Sequence, residues 1–167
     1  MKTSLISAPS GAYLAAVRGV LESADDALMC VAFAQARGVH LVEKELADIP
    51  RRGMARVVVM TTLGASSAVA LDALHDCKVG LRVLNPGGAT YHPKVFLGRA
   101  GKVVRAVVGS CNLTSGLVAN VEAGIALEGT PRDEPLADLW SWAESVWSDP
   151  RASTWEPAHA CARAPRD

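Results

Sequence analysis

The chain has 167 residues, half of them apolar, with 17 basic and 17 acidic side chains that cancel at neutral pH. That length and apolar content fit one ordinary domain with its own core and exclude a disordered tail protein. The charge balance excludes the broad positive field of a protein that coats nucleic acid, so any such contact must come from a local patch, dimerisation or a partner.

Met1-Lys2 and the following Thr3-Ser4-Leu5-Ile6-Ser7-Ala8-Pro9 are too short and too polar for the apolar region of a signal peptide. No apolar run approaches the ~20 residues that span a bilayer. A cytoplasmic protein that does not bind membranes is therefore expected. Residues 11–24 predict a helix, with Tyr13, Leu14, Val17, Val20 and Leu21 recurring at three- and four-residue steps and Ser10 as its cap. Ala27 to Phe33 is a continuous apolar run, short enough for a strand buried on both faces. Residues 39–47 return to helical spacing, and Arg56 to Thr61 reads as a second buried strand. Ser66 to His75 predicts a helix with Val69, Leu71 and Leu74 on its apolar side. Gly80 to Leu84 is a third strand, ended by Asn85-Pro86-Gly87-Gly88.

After that the pattern changes. Residues 91–98 and 102–109 predict a hairpin broken at Arg99-Ala100-Gly101. One or two helical turns are expected within 113–119, then a strand over 121–127. Residues 134–148 predict a helix with Leu136, Leu139, Trp140, Ala143, Val146 and Trp147 on one face, its tryptophans anchoring the core. Residues 149–167 are rich in Pro, Ala and Arg without periodicity and are expected to be a poorly ordered tail or linker beyond a domain at 1–148. Helix–strand alternation followed by a hairpin predicts a single α/β domain, a mixed sheet flanked by helices on both faces.

Cys30, Cys77, Cys111 and Cys161 form no Cys-x-x-Cys pair, so a zinc site has no support and free thiols in a reducing compartment are expected. No Gly-rich nucleotide fingerprint is present, and neither cofactor nor metal is called for. The sequon at Asn112-Leu113-Thr114 is read as accidental in a chain without a secretory signal.

The chemistry is concentrated in Tyr91-His92-Pro93-Lys94, in Gly109-Ser110-Cys111-Asn112-Leu113-Thr114 and in Glu122. His92 and Lys94 are two apart and would project from one face of a strand. An edge strand with a solvated face would give the same pattern. Ser110 and Asn112 follow a buried strand and precede an expected helix start, where free N–H groups and the dipole suit a phosphate. Simple capping by Asn112 or Thr114 is the plainer alternative. Glu122 lies in an apolar run and is costly there unless paired or at a wet rim; a histidine is a natural partner.

Taken in order, His92-x-Lys94, Gly109-Ser110-x-Asn112 and Glu122 resemble the HxK…GSxN…E signature of the phospholipase D superfamily. Over residues 10–148 the chain also looks like the phospholipase D-like domains of metal-independent restriction endonucleases and of helicase-associated proteins. The resemblance implies that His92 attacks phosphorus and forms a phosphohistidine, that Lys94, Asn112 and Ser110 hold the phosphate oxygens, and that Glu122 orients His92. A second histidine would protonate the leaving oxygen. Only one motif copy is present, and His40, His75 and His159 lack comparable surroundings. A homodimer with the site at its two-fold axis is therefore expected.

The family often has Asp five positions after the motif Lys, where this chain has Arg99. That departure argues against a lipid-cleaving, two-copy enzyme. A metal-independent endonuclease acting on DNA is the leading expectation, served by cations among Arg51, Arg52, Arg56, Arg82, Arg99, Lys102 and Arg105. A hydrolase or transferase of lipids or small phosphodiesters is the first alternative. The second is a non-catalytic module serving a fused or separate helicase or DNA-recognition domain.

Overall fold

Eight strands and six α-helices build the fold, which the computed structural model describes for residues 1–157. The strands are β1 (Lys2–Ala8), β2 (Asp26–Val31), β3 (Met54–Val59), β4 (Gly80–Val83), β5 (Lys94–Ala100), β6 (Val103–Gly109), β7 (Glu122–Gly129) and β8 (Ser153–Thr154). The helices are α1 (Ala12–Glu22), α2 (Ala36–His40), α3 (Glu43–Asp48), α4 (Ala68–Asp76), α5 (Gly116–Ala119) and α6 (Glu134–Trp147). The strands form one mixed sheet in the order β1-β7-β6-β5-β2-β3-β4-β8. β2, β3 and β4 run parallel, as helical crossovers require, and every other pairing is antiparallel.

The continuous apolar runs are explained by burial on both faces. Ala27, Met29 and Val31 of β2 join the core under α1 and its neighbours, while Leu28 and Cys30 join the core under α6. Leu136 and Ala143 of α6 are buried, with Leu139, Trp140, Val146 and Trp147 packed beside them. Arg56 fastens α6 to the sheet: its guanidinium donates to both oxygens of Glu144 at 2.7 Å and to Asp26 at 3.0 Å.

Several expectations change. The predicted helix over 39–47 is two short ones, α2 and α3, broken at Leu41-Val42. Ser10 is not the cap of α1. Gly11 takes that place with φ +83°, and Ser10 Oγ instead donates to Ser7 at 2.7 Å. Val69 faces solvent on α4, where Ala70, Leu71 and Leu74 turn inward. β1 carries no clean alternation because it is an edge strand covered on one face only; Ile6 and Ala8 are buried and Leu5 is exposed. The sheet also passes residue 148, the expected domain boundary: β8 pairs with Arg82 and Val83, and Trp155 is buried. Residues 158–167, with His159 and Cys161, lie outside the described residues. Among those described, Cys30, Cys77 and Cys111 are free and buried, and no helix is long and apolar enough to cross a membrane.

Candidate active site

Sheet register brings the motif segments to one end of the sheet. Lys94 opens β5 opposite Val31, the last residue of β2. Gly109 ends β6 opposite Gly124, and Glu122 opens β7 opposite Ala8. His92 lies outside β5, so the expected sharing of one strand face is not how it meets Lys94. Pro93 accepts the last ladder bond, from the Ala32 N–H at 2.9 Å, and the chain then turns away. The Lys94 ammonium curls back, donating to the His92 carbonyl at 3.0 Å and lying 2.8 and 3.1 Å from Nδ1 and Nε2 of the ring. His92 is exposed, whereas Lys94 is 9 % exposed.

Phe33 is the residue that sequence reasoning missed. It lies two residues past the end of β2 and supports both motif side chains: the His92 ring meets it edge-on at 5.6 Å, and the Lys94 ammonium lies 5.8 Å over its face. Its backbone N–H donates to Asn112 Oδ1 at 3.0 Å, and its carbonyl accepts from the Leu113 N–H at 3.1 Å. Asn112 is thereby oriented by a strand 79 positions away, and its Nδ2 remains a donor for a ligand. Only the place of Phe33 at the end of an apolar run hinted at this.

The expected helix N-terminus at Leu113 or Thr114 is absent. α5 begins at Gly116 and spans four residues, and its first turn is tied by Thr114 Oγ1, which accepts from the Gly116 N–H at 3.2 Å. No helix dipole therefore serves a phosphate there. Ser110 accepts from the Ala123 N–H at 3.2 Å and donates to the Glu122 carboxylate. Glu122 also accepts from Asn120 Nδ2 at 3.1 Å. Among the described residues, no hydrogen bond joins Glu122 to His92. Glu122 is half-buried at the strand start, and its partners are hydroxyl and amide rather than imidazole.

Burial sets the electrostatics. Desolvation lowers the Lys94 ammonium below the usual lysine range, and the Glu122 carboxylate partly opposes that. Burial pushes the Cys111 thiol up to about 12, with Glu122 adding to the shift, so this cysteine stays protonated and inert. The Gly-Ser-Cys-Asn turn is seated on Tyr13 of α1, whose hydroxyl accepts from the Cys111 N–H at 3.3 Å. Gly109 and Gly124 face each other across β6 and β7 and leave room for that ring; a Cβ on Gly124 would lie 3.0 Å from it.

The expected DNA-contacting cations are placed elsewhere. Arg51, Arg52, Arg56, Arg99 and Lys102 lie toward the opposite end of the sheet. Arg56 is buried, Arg82 donates to the Ala152 carbonyl at 2.6 Å, and Arg105 donates to Glu128 at 2.7 Å. Arg99 sits five residues up β5 from Lys94, about 16 Å along an extended strand. There it pairs with Asp26 at 3.0 Å and stacks on Trp140. Arg99, at the position where the signature of the resembled family often has Asp, therefore belongs to the scaffold under α6 in this chain. Arg37, exposed in α2 beyond the end of β2, is a cation on the site's side of the sheet that sequence reasoning did not single out.

No protein-family model and no curated protein matches this chain. Among solved structures, a phospholipase D family member, Nuc from Salmonella typhimurium, is similar with TM-score 0.72 and 17 % identity, covering 93 % of this chain and 98 % of its own. NucT from Helicobacter pylori gives TM-score 0.66 and 14 % identity over 92 % and 99 %. Phosphatidylserine synthase from Haemophilus influenzae gives TM-score 0.65 and 11 % identity, covering 94 % of this chain but 41 % of its own. The mixed sheet with helices on both faces, aligned with Nuc and NucT along nearly their full lengths, has the fold of the phospholipase D superfamily.

Proposed function

We propose that this protein is a phosphodiesterase acting on nucleic acid, and specifically an endonuclease cleaving DNA through a phosphohistidine on His92. The observation that carries this reading is an exposed imidazole lodged against the buried ammonium of Lys94, with the Asn112 amide and the Ser110–Glu122 pair at the same sheet end. The full-length fit to Nuc and NucT supports a phosphodiester substrate. The partial coverage of the phosphatidylserine synthase gives less support to the lipid alternative.

A ring nitrogen of His92 attacks phosphorus, and a P–N bond forms as the bond to the leaving oxygen breaks. That oxygen takes a proton from a second imidazole. Water then gives a proton back to that imidazole and adds to phosphorus, and the P–N bond breaks. Lys94 and Asn112 hold the non-bridging oxygens and offset the charge that grows on them. Because the ammonium sits in a partly desolvated position, its field is stronger there than in water. Ser110 keeps the Glu122 carboxylate in place beside them.

On this proposal the second imidazole belongs to a second copy of the chain: among the described residues, His40 is hydrogen-bonded to Glu43 on α2 and His75 lies in the last turn of α4. The uncovered apolar surface next to the site supports a dimer: Val121 is 94 % exposed immediately before Glu122, and Leu5 and Ile125 are exposed cross-strand partners. Plasmid nicking in EDTA tests the catalytic reading. Wild type is expected to nick DNA, and His92→Ala to lose at least about a thousandfold in rate, as nucleophile removal does elsewhere. Equal rates for the two proteins would overturn it.

A further inference from the structure

We infer that the cleft between the loops after β3 and β4 binds the base and sugar next to the attacked phosphate, with Leu63 as the apolar side chain packed on the base; this rests on the phosphodiesterase reading above. The cleft measures about 440 Å³, within the ~300–1,000 Å³ of small-molecule sites. It adjoins the motif through two chain connections. Thr90, on its wall, is two residues before His92, and Met60, also lining it, donates to the Ala32 carbonyl at 3.1 Å, one residue before Phe33.

Among the described residues, its lining contains no charged side chain. A second phosphate would meet no cation there, so what fits is the uncharged part of a nucleotide. The Thr62 hydroxyl donates to Asn85 Oδ1 at 3.0 Å, so the Thr90 hydroxyl and the backbone of the Gly87-Gly88 wall are the polar groups this lining offers to base and sugar edges. Asn85 holds the two loops together: its Oδ1 accepts from the N–H groups of Thr61 and Thr62 at 3.0 and 3.2 Å, and its Nδ2 donates to Thr61 Oγ1 at 2.9 Å. A Cβ added to Gly87 or Gly88 meets nothing within 4 Å, which leaves that wall open to a ligand.

Leu63 stands on the rim of the same cleft. It is fully exposed and held in the left-handed region at φ 57°, ψ 26°. A γ-branched apolar residue is disfavoured both by that backbone and by that exposure, and none of the described residues covers it. Apolar side chains, leucine among them, act as wedges between bases in minor-groove proteins.

The test uses the full chain carrying His92→Ala, so that binding is read without cleavage. Fluorescence anisotropy compares a labelled single-stranded oligodeoxynucleotide with an abasic oligomer of equal length. The base-bearing oligomer should bind more tightly, and adding Leu63→Gly should weaken it roughly fivefold to tenfold while leaving the abasic oligomer unchanged. Glycine suits φ 57°, so this variant removes the wedge without threatening the fold. Equal affinity for both oligomers, no effect of Leu63→Gly, or equal loss on both would overturn the inference. Hydrolysis of bis(4-nitrophenyl) phosphate by the protein with His92 intact reports separately on the phosphodiesterase reading, so either can fail alone.

Discussion

Lys94 and Glu122 share one electrostatic balance. Burial disfavours the ammonium and the nearby carboxylate favours it, with burial the larger effect. Lys94 therefore loses its charge below the ~10.4 of an unperturbed lysine. If its charge holds the phosphate, hydrolysis falls on the alkaline side below that value. Glu122→Gln keeps one acceptor oxygen for Asn120 Nδ2, and its NH2 can donate to the Ser110 hydroxyl, but it removes the opposing charge, which lowers the Lys94 pKa further. The alkaline limb of a kcat/KM profile against pH should thus move to lower pH in Glu122→Gln. A limb that stays in place would dissociate Lys94 from the profile.

At the scale of elements, a buried guanidinium adds to the apolar packing that holds α6 to the sheet. Arg56 is 5 % exposed and bonds both Glu144 and Asp26, with Trp147 stacked 5.6 Å from it. The Arg56 hydrogen bonds hold the Glu144 carboxyl below the usual range. The stability from that pair is present above the ordinary glutamate pKa and is lost as pH falls through the lowered one. Glu144→Ala should cost about 2 kcal/mol in urea unfolding, short of the ~3–5 of a fully buried pair. The discount follows from the 37 % exposure of the Glu144 side chain and the continued presence of Asp26. An unchanged midpoint would show that Arg56 finds water or a new partner. Arg99, on Asp26 and Trp140, belongs to the same scaffold.

For the whole molecule, α6 covers the sheet over β2, β3, β5 and β6 and the Leu127 end of β7, and the same face of β1 and of the start of β7 stays open. Leu5, 77 % exposed on β1, stands opposite Ile125 on β7, and Val121 borders the site. On the dimer proposal these side chains are covered by a second copy. Leu5→Arg should then sediment as a monomer and lose nicking activity while keeping its Tm within a few degrees, since the change is exposed in the single chain. A wild type that sediments as a monomer at working concentration would remove the source of the second imidazole.

The apolar runs and helical periods determined the α/β fold and its mixed sheet, because burial on both faces leaves a local signature. His92, Lys94, Ser110, Asn112 and Glu122 stood out in the sequence through their order, spacing and resemblance to the phospholipase D signature, and the sheet brings their segments to one end. Edge strands were not: β1 is buried on one side only, and β8 is two residues held by pairing with Arg82 and Val83. Tertiary structure alone decided that Phe33 supports His92, that Asn112 serves the Phe33 amide rather than a helix, and that Glu122 binds Ser110 and Asn120. Each of these depends on which strand ends meet, and register between distant strands is set by the packed sheet, not by any local run of residues.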